Sequence, residues 1–95
     1  MFVVLLKFAA NRDQAGRHMD GHKAWLQRGF DDGVFVLAGS LSTAGGGAII
    51  AHNTGLAELE HRVAEDPFVA HGVVTSEAIG IDPNRTDARL DFLKD

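Results

Sequence analysis

Phe2-Val3-Val4-Leu5-Leu6-Lys7-Phe8 is apolar at every position but one. That pattern predicts a β-strand covered on both faces rather than one with a wet side. In a chain of 95 residues such a strand dictates most of the architecture, because there is material for a single core and not for a deep one. The next segment supplies a helix. From Gln14 to about Asp32, Met19, His22, Lys23, Leu26 and Phe30 recur at helical spacing and form the expected inner stripe. Asp13, in the polar run Asn11 to Asp13, is the expected N-cap, and Gly33 the expected stop. Gly16, Gly21 and Gly29 each weaken this helix by up to about 1 kcal/mol relative to alanine, so packing has to hold it.

Val34 to Ala38 reads as a second strand ending at Gly39-Ser40, Ser42 to Gly46 as a turn, and Gly47 to His52 as its hairpin partner. Asn53-Thr54 can cap a second helix, Gly55 to Glu65, with Leu56, Leu59 and Val63 facing inward and Pro67 ending it. Val73 to Ile81 is a fourth strand. The order is therefore strand, helix, strand, strand, helix, strand, the split arrangement of a ferredoxin-like α+β sandwich. Right-handed crossovers put both helices on one face of a four-stranded antiparallel sheet. The opposite face of the first strand then needs another partner, and a second copy packing sheet to sheet is predicted, giving a homodimer. Residues 1–82 form the expected domain. Residues 83–95, opening at Pro83-Asn84, form a tail whose Leu90, Phe92 and Leu93 are expected to pack on a neighbour.

Composition narrows the function. A formal net charge of -4 and no lysine or arginine run argue against a nucleic-acid partner. Without cysteine there is no disulfide, thiolate metal site or cysteine nucleophile. The N-terminal run lacks a basic leader segment and is broken by Lys7, and no stretch is long enough to cross a bilayer. The expectation is a cytoplasmic protein with no membrane partner.

Two islands carry the chemistry: His22-Lys23-Ala24-Trp25-Leu26 and Asp66-Pro67-Phe68-Val69-Ala70-His71-Gly72. They supply an imidazole and a carboxylate at the ends of separate elements that one small sheet can bring face to face. Histidine suits proton transfer because its ordinary pKa of about 6.5 lies near working pH. Read from the residues alone, His22 is more simply an inward histidine bonded to a backbone carbonyl. Asp66, at the end of the second helix, sits where the helix dipole disfavours a carboxylate, which argues against a purely stabilising role; a solvated turn acid before proline is its plainer alternative. His18 and His22 are four apart, but no glutamate lies between them and no third ligand is indicated, so no metal is expected. His71 is read as a surface loop residue, and Gly45-Gly46-Gly47 as a hairpin rather than a phosphate cradle, since no P-loop lysine accompanies it. Ser40 is placed to donate to a ligand oxygen or to satisfy its own loop, while Trp25 and Phe68 belong to the core or the pocket wall.

The His-x-x-Trp-Leu segment (His22, Trp25, Leu26), Leu37-Ala38-Gly39-Ser40-Leu41, and Asp66-Pro67-Phe68 with Gly72 beyond it resemble the YCII-related family over roughly Phe2 to Ile81. The resemblance implies a dimeric α+β-barrel-like assembly similar to muconolactone isomerases, with an active site built around a histidine and an aspartate. Those roles fall on His22 and Asp66. Ser40 stands after the family's Ala-Gly, where many members carry proline. One branch of the family is associated with dehydrochlorinase chemistry on chlorinated hydroxyhydroquinones. The expectation is a small enzyme of lyase or isomerase type, needing no cofactor, with His22 and Asp66 moving protons on a small substrate bound by Ser40, Trp25 and Phe68. A non-catalytic small-molecule-binding or regulatory dimer is the alternative, and a cofactor-free monooxygenase a third.

Overall fold

Strand β1 (Phe2–Phe8) lies inside the sheet, hydrogen-bonded antiparallel to β3 (Gly47–Ala51) on one side and β4 (Val74–Gly80) on the other. Strand β2 (Phe35–Ser40) adds to the far side of β3, so the order across the sheet is β2-β3-β1-β4, all antiparallel. The computed structural model describes residues 1–43 and 45–94; Ala44, in the expected turn, and Asp95 lie outside it. Three helices complete the chain: α1 (Ala15–Asp31), α2 (Leu56–Ala64) and the four-residue α3 (Pro67–Ala70). The result is the expected α+β architecture, with one short helix more than the sequence predicts.

The core forms where one sheet face meets the helices. Val4, Leu6, Ile49 and Ala51 from the inner strands pack with Trp25, Leu59, Val63 and Phe68. The other sheet face is less well covered. A register row runs across it through Leu37, Ile50, Val3 and Ile79, with Leu37 51% and Ile79 42% exposed. Strand alternation makes this inevitable, since residues next to an inward Val4 or Ile49 point the other way.

Helix α1 departs from its expected details. Asp13 does not cap it; Asp13 lies within a 3-10 turn, Arg12–Gln14, and the residue before α1, Gln14, makes no side-chain cap. The buried stripe is also rotated. Trp25 and Gly29 are buried, while Met19 and Phe30 are 36% and 39% exposed and Lys23 is exposed. The reason is Phe35, whose ring lies where a Cβ on Gly29 would stand. The glycine that weakens the helix intrinsically is the one that lets β2 approach it. At the other end of α1 the expected stop holds: Gly33 has φ +73°, its N–H donates to the Phe30 carbonyl, and the Val34 N–H donates to that of Gly29.

Helix α2 starts without a side-chain cap from Asn53 or Thr54, with Gly55 at the N-cap. It is tied to α1 by the Trp25 indole N–H, which donates to the Arg62 carbonyl at 2.9 Å, and by an Arg62–Asp32 ion pair at 2.9 Å. The tail turns through a 3-10 segment, Ala88–Lys94, that buries Leu93 within its own chain and sets the Phe92 ring edge-on to His52 at 5.3 Å. That placement corrects the expectation that Leu93 awaits a neighbour. Gly29→Ala is expected to displace the Phe35 ring and destabilise the protein by about 1–3 kcal/mol, because the core has no slack at that contact. Thermal unfolding monitored by circular dichroism measures it, and a wild-type melting temperature in the variant would contradict this packing.

Candidate active site

Asp66 is the only buried charged residue among those described, with no solvent exposure. Its position differs from the expected one. Helix α2 closes at Glu65, and Asp66 becomes the N-cap of α3, with Pro67 in the first turn and the Phe68 N–H donating to Oδ1 at 3.0 Å. Pro67 therefore begins a helix instead of ending one. The proline ring suits that place because the first helical position needs no N–H donor. The dipole objection to a carboxylate disappears with it, since this acid sits at the start of a helix.

The same Oδ1 receives a second partner, His22 Nδ1 at 2.8 Å. The ionised carboxylate only accepts hydrogen bonds, so Nδ1 carries the ring proton and Nε2 is the nitrogen left free to act as a base. The imidazole is held by more than this bond. It stacks on the Phe68 ring at 4.1 Å with 4° between planes, and Trp25 lies 5.9 Å away on its own helix. Helix α3 can come this close because Gly21 carries no side chain; Pro67 Cγ is 3.0 Å from where a Cβ would be. Asp66 Oδ2 is buried and has no hydrogen-bond partner among the described residues.

His22 borders a cleft of about 320 Å³ at the end of the sheet where β1 and β2 finish and β3 and β4 begin. Helix α1 contributes Met19, His22, Lys23 and Leu26, and α3 contributes Phe68. Ser40 lines the opposite side because of an irregularity in β2. Phe35 pairs with Ala51, yet Leu37 pairs with Ile50, so one extra residue, Val36, bulges out of the ladder. Strand alternation past that point is shifted by one, which turns Ala38 and Ser40 toward the helices.

The structure thus brings His22, Ser40 and Phe68 to one cleft, with Asp66 directly behind His22. Trp25 does not line it. It is 1% exposed, packs edge-on against Phe35 at 5.2 Å, and reaches the cleft only through His22. This corrects its expected role as a ligand contact. Lys23 lines the cleft although nothing in the sequence motifs marks it as a site residue. The available signal is its place with Met19 and Leu26 on one helical edge, which borders the cleft. Among the described residues no group of three or more His, Asp or Glu side chains converges as a metal site would, and no helix is long and apolar enough to cross a membrane.

The fold is a small α+β one, a four-stranded antiparallel sheet with a histidine–aspartate pair beside the cleft at one end. Residues 1–80 match the YCII-related domain, and the chain belongs to that family. No curated protein matches it. Among solved structures it is similar to 5-chloro-2-hydroxyhydroquinone dehydrochlorinase from Burkholderia phenoliruptrix, in complex with 2,5-dihydroxybenzoquinone. That likeness has a TM-score of 0.68 at 14% identity and covers 85% of this chain and 93% of the other. At that identity the likeness establishes the fold.

One turn before His22, His18 stacks on His71 at 4.0 Å with 6° between planes, joining α1 to the end of α3. The pKa of His18 is lowered by partial desolvation first, then by the charges of His71 and Arg17. The folded state therefore holds this proton less readily than the unfolded chain. Unfolding takes up protons as pH falls below about 6.5, so the His18 contribution destabilises at acid pH and vanishes above neutrality. Urea unfolding of wild type and His18→Gln between pH 8 and 5 is expected to show the variant gaining stability relative to wild type as pH drops. A constant difference across that range would contradict the assignment.

Proposed function

We propose that this protein is a lyase or isomerase acting without a cofactor, in which His22 Nε2 moves a proton on a small cyclic or enolisable substrate. The observation that carries the reading is the 2.8 Å bond from a cleft-lining imidazole to a fully buried carboxylate. Asp66 fixes the tautomer and stabilises the imidazolium that forms when Nε2 takes a proton. As the substrate C–H bond breaks, its electron pair becomes a carbon–carbon double bond. In an isomerisation the π pair of the adjoining carbon shifts onto oxygen or onto the next carbon, and the imidazolium returns the proton there; in an elimination an anionic leaving group departs from the adjoining carbon with its bonding pair and the proton later passes to water. Ser40 and Phe68 contact the substrate, the first as a hydrogen-bond donor and the second as a flat wall.

The buried, unpartnered Oδ2 of Asp66 supports this reading. An unsatisfied buried acceptor costs about 1–3 kcal/mol, a cost that capping α3 does not by itself require, since an uncharged cap would serve that helix as well. The dehydrochlorinase of similar fold binds a small hydroxylated ring compound, which supports a search among ring substrates. In a panel of hydroxylated aromatics and lactones, His22→Ala and Asp66→Asn are expected to lower kcat by about 10²–10⁴-fold. Full turnover in both variants would end the acid–base reading. Ligand binding by wild type with no turnover of any compound in the panel would favour the binding-module alternative.

We also infer that the open sheet face meets a second copy of the chain. The row Leu37, Ile50, Val3 and Ile79 is continuous across all four strands, and apolar rows of this kind call for cover. Sedimentation equilibrium is expected to give a dimer for wild type and a monomer for Leu37→Glu combined with Ile79→Glu. A monomeric wild type at tens of micromolar would contradict the assembly.

A further inference from the structure

We propose that Lys23 is the anion-recognition residue of the cleft, and that the ligand is a flat, single-ring organic anion. Its charged oxygen would pair with the Lys23 ammonium while the ring lies between Leu26, Ile49 and Phe68. The inference deepens the acid–base reading of the same cleft and rests on it for the location of the ligand.

Charge is the first observation. The chain carries a formal net charge of -4 with 13 acidic residues, yet no aspartate or glutamate lines this cleft. Lys23 is the one permanently charged residue that does, and His22 beside it is the only other ionisable group there among the described residues. The acid paired with His22 sits behind the ring and out of the cleft. Lys23 is exposed and makes no ion pair among the described residues, so its charge is not spent on the protein itself. An uncompensated cation at the lip of a carboxylate-free, mostly apolar cleft selects for negative ligands and raises their local concentration.

Placement is the second. Met19 and Leu26 flank Lys23 one helical turn on either side, and all three line the cleft. The aliphatic stem of Lys23 can lie along that edge with its ammonium free to reach a ligand oxygen. Ser40 faces it from β2 as an uncharged polar group. Size and shape are the third. A cleft of about 320 Å³ is at the small end of ligand pockets, and the His22 and Phe68 rings, stacked parallel with centroids 4.1 Å apart, both border it. A single ring matches that size.

The anionic oxygen can belong to a carboxylate or to an acidic enol, and two probe pairs separate these sources. Binding to the isotopically labelled protein is measured by NMR titration for benzoate against benzamide. The second pair is cyclohexane-1,3-dione, ionised as its enolate, against 3-methoxycyclohex-2-enone. The expected result is that at least one anion binds about tenfold or more tightly than its neutral partner, the range of a charge-assisted hydrogen bond. Lys23→Met is expected to abolish that preference, Lys23→Arg to keep it, and added salt to weaken it. Which pair shows the preference identifies the oxygen. Equal binding within both pairs, no binding by any of the four probes, or an anion preference that survives Lys23→Met overturns the proposal. The readout is independent of turnover. If His22 and Asp66 variants kept full activity while Lys23→Met lost anion selectivity, the acid–base reading would fail and this one would stand.

Discussion

A carboxylate with no exposure to water has to be met by donors from the protein, and the Asp66 side chain meets two of them on a single oxygen. One is the Phe68 N–H, which starts α3; the other is His22 Nδ1, which belongs to α1. That oxygen therefore decides the tautomer of the imidazole, the direction in which the chain leaves α2, and the distance between two helices that are not adjacent in sequence. Removing its charge would leave two buried donors facing a weaker acceptor. The geometry behind this joint is supplied by residues with little to offer on their own. Gly21 admits Pro67, and Gly29 admits Phe35, so α1 lies close to both the short helix and the sheet.

Much of the fold can be read along the chain because strand and helix periods are strong in it. The apolar run of β1, interrupted at Lys7 alone, announces an inner strand, and Gly33 announces the end of α1. The failures have physical causes of equal clarity. Asp13 has the right chemistry for a cap, but the chain enters α1 through a 3-10 turn, and the capping position passes to Gln14. Pro67 is a stop signal when read from its N-terminal side and a start signal from the other, and here it follows the N-cap Asp66 and starts α3. The α1 stripe is displaced from its expected face because hydrophobic spacing alone does not separate a core-facing edge from a cleft-facing one. Met19, Lys23 and Leu26 share the second.

The site is legible in its residue types and not in its depth. His22 and Asp66 stand out because an imidazole on an apolar helix edge and an acid before proline both need partners. That they satisfy each other depends on a stack with Phe68 that no local pattern encodes. Ser40 illustrates the same limit. Simple alternation from Phe35 would turn Ser40 to the far face of the sheet, and the bulge at Val36 reverses it. Trp25 shows the opposite error: a large aromatic next to a candidate base invites a role in ligand contact, whereas the indole N–H is committed to the Arg62 carbonyl and the ring to the core.

The two sheet faces divide the work in a way that strand geometry requires. Every residue that points toward the helices is lost to the other side, so a four-stranded sheet with helices on one face keeps one apolar row in reserve. On the helix side the packing is dense at Trp25, Phe35 and Leu59, and it opens beside the middle of α1 where the strands β1 and β2 end. A cleft at that end inherits backbone from four strands and side chains from two helices, while no acidic residue lines it. The cleft is thereby apolar, almost free of fixed charge, and backed by a carboxylate that water does not reach. In such surroundings a single ammonium at the lip acts over a longer range than it would in water. Lys23 and His22 are consecutive in sequence, so the proposed anion-holding group and the proposed base are positioned by the same turn of helix.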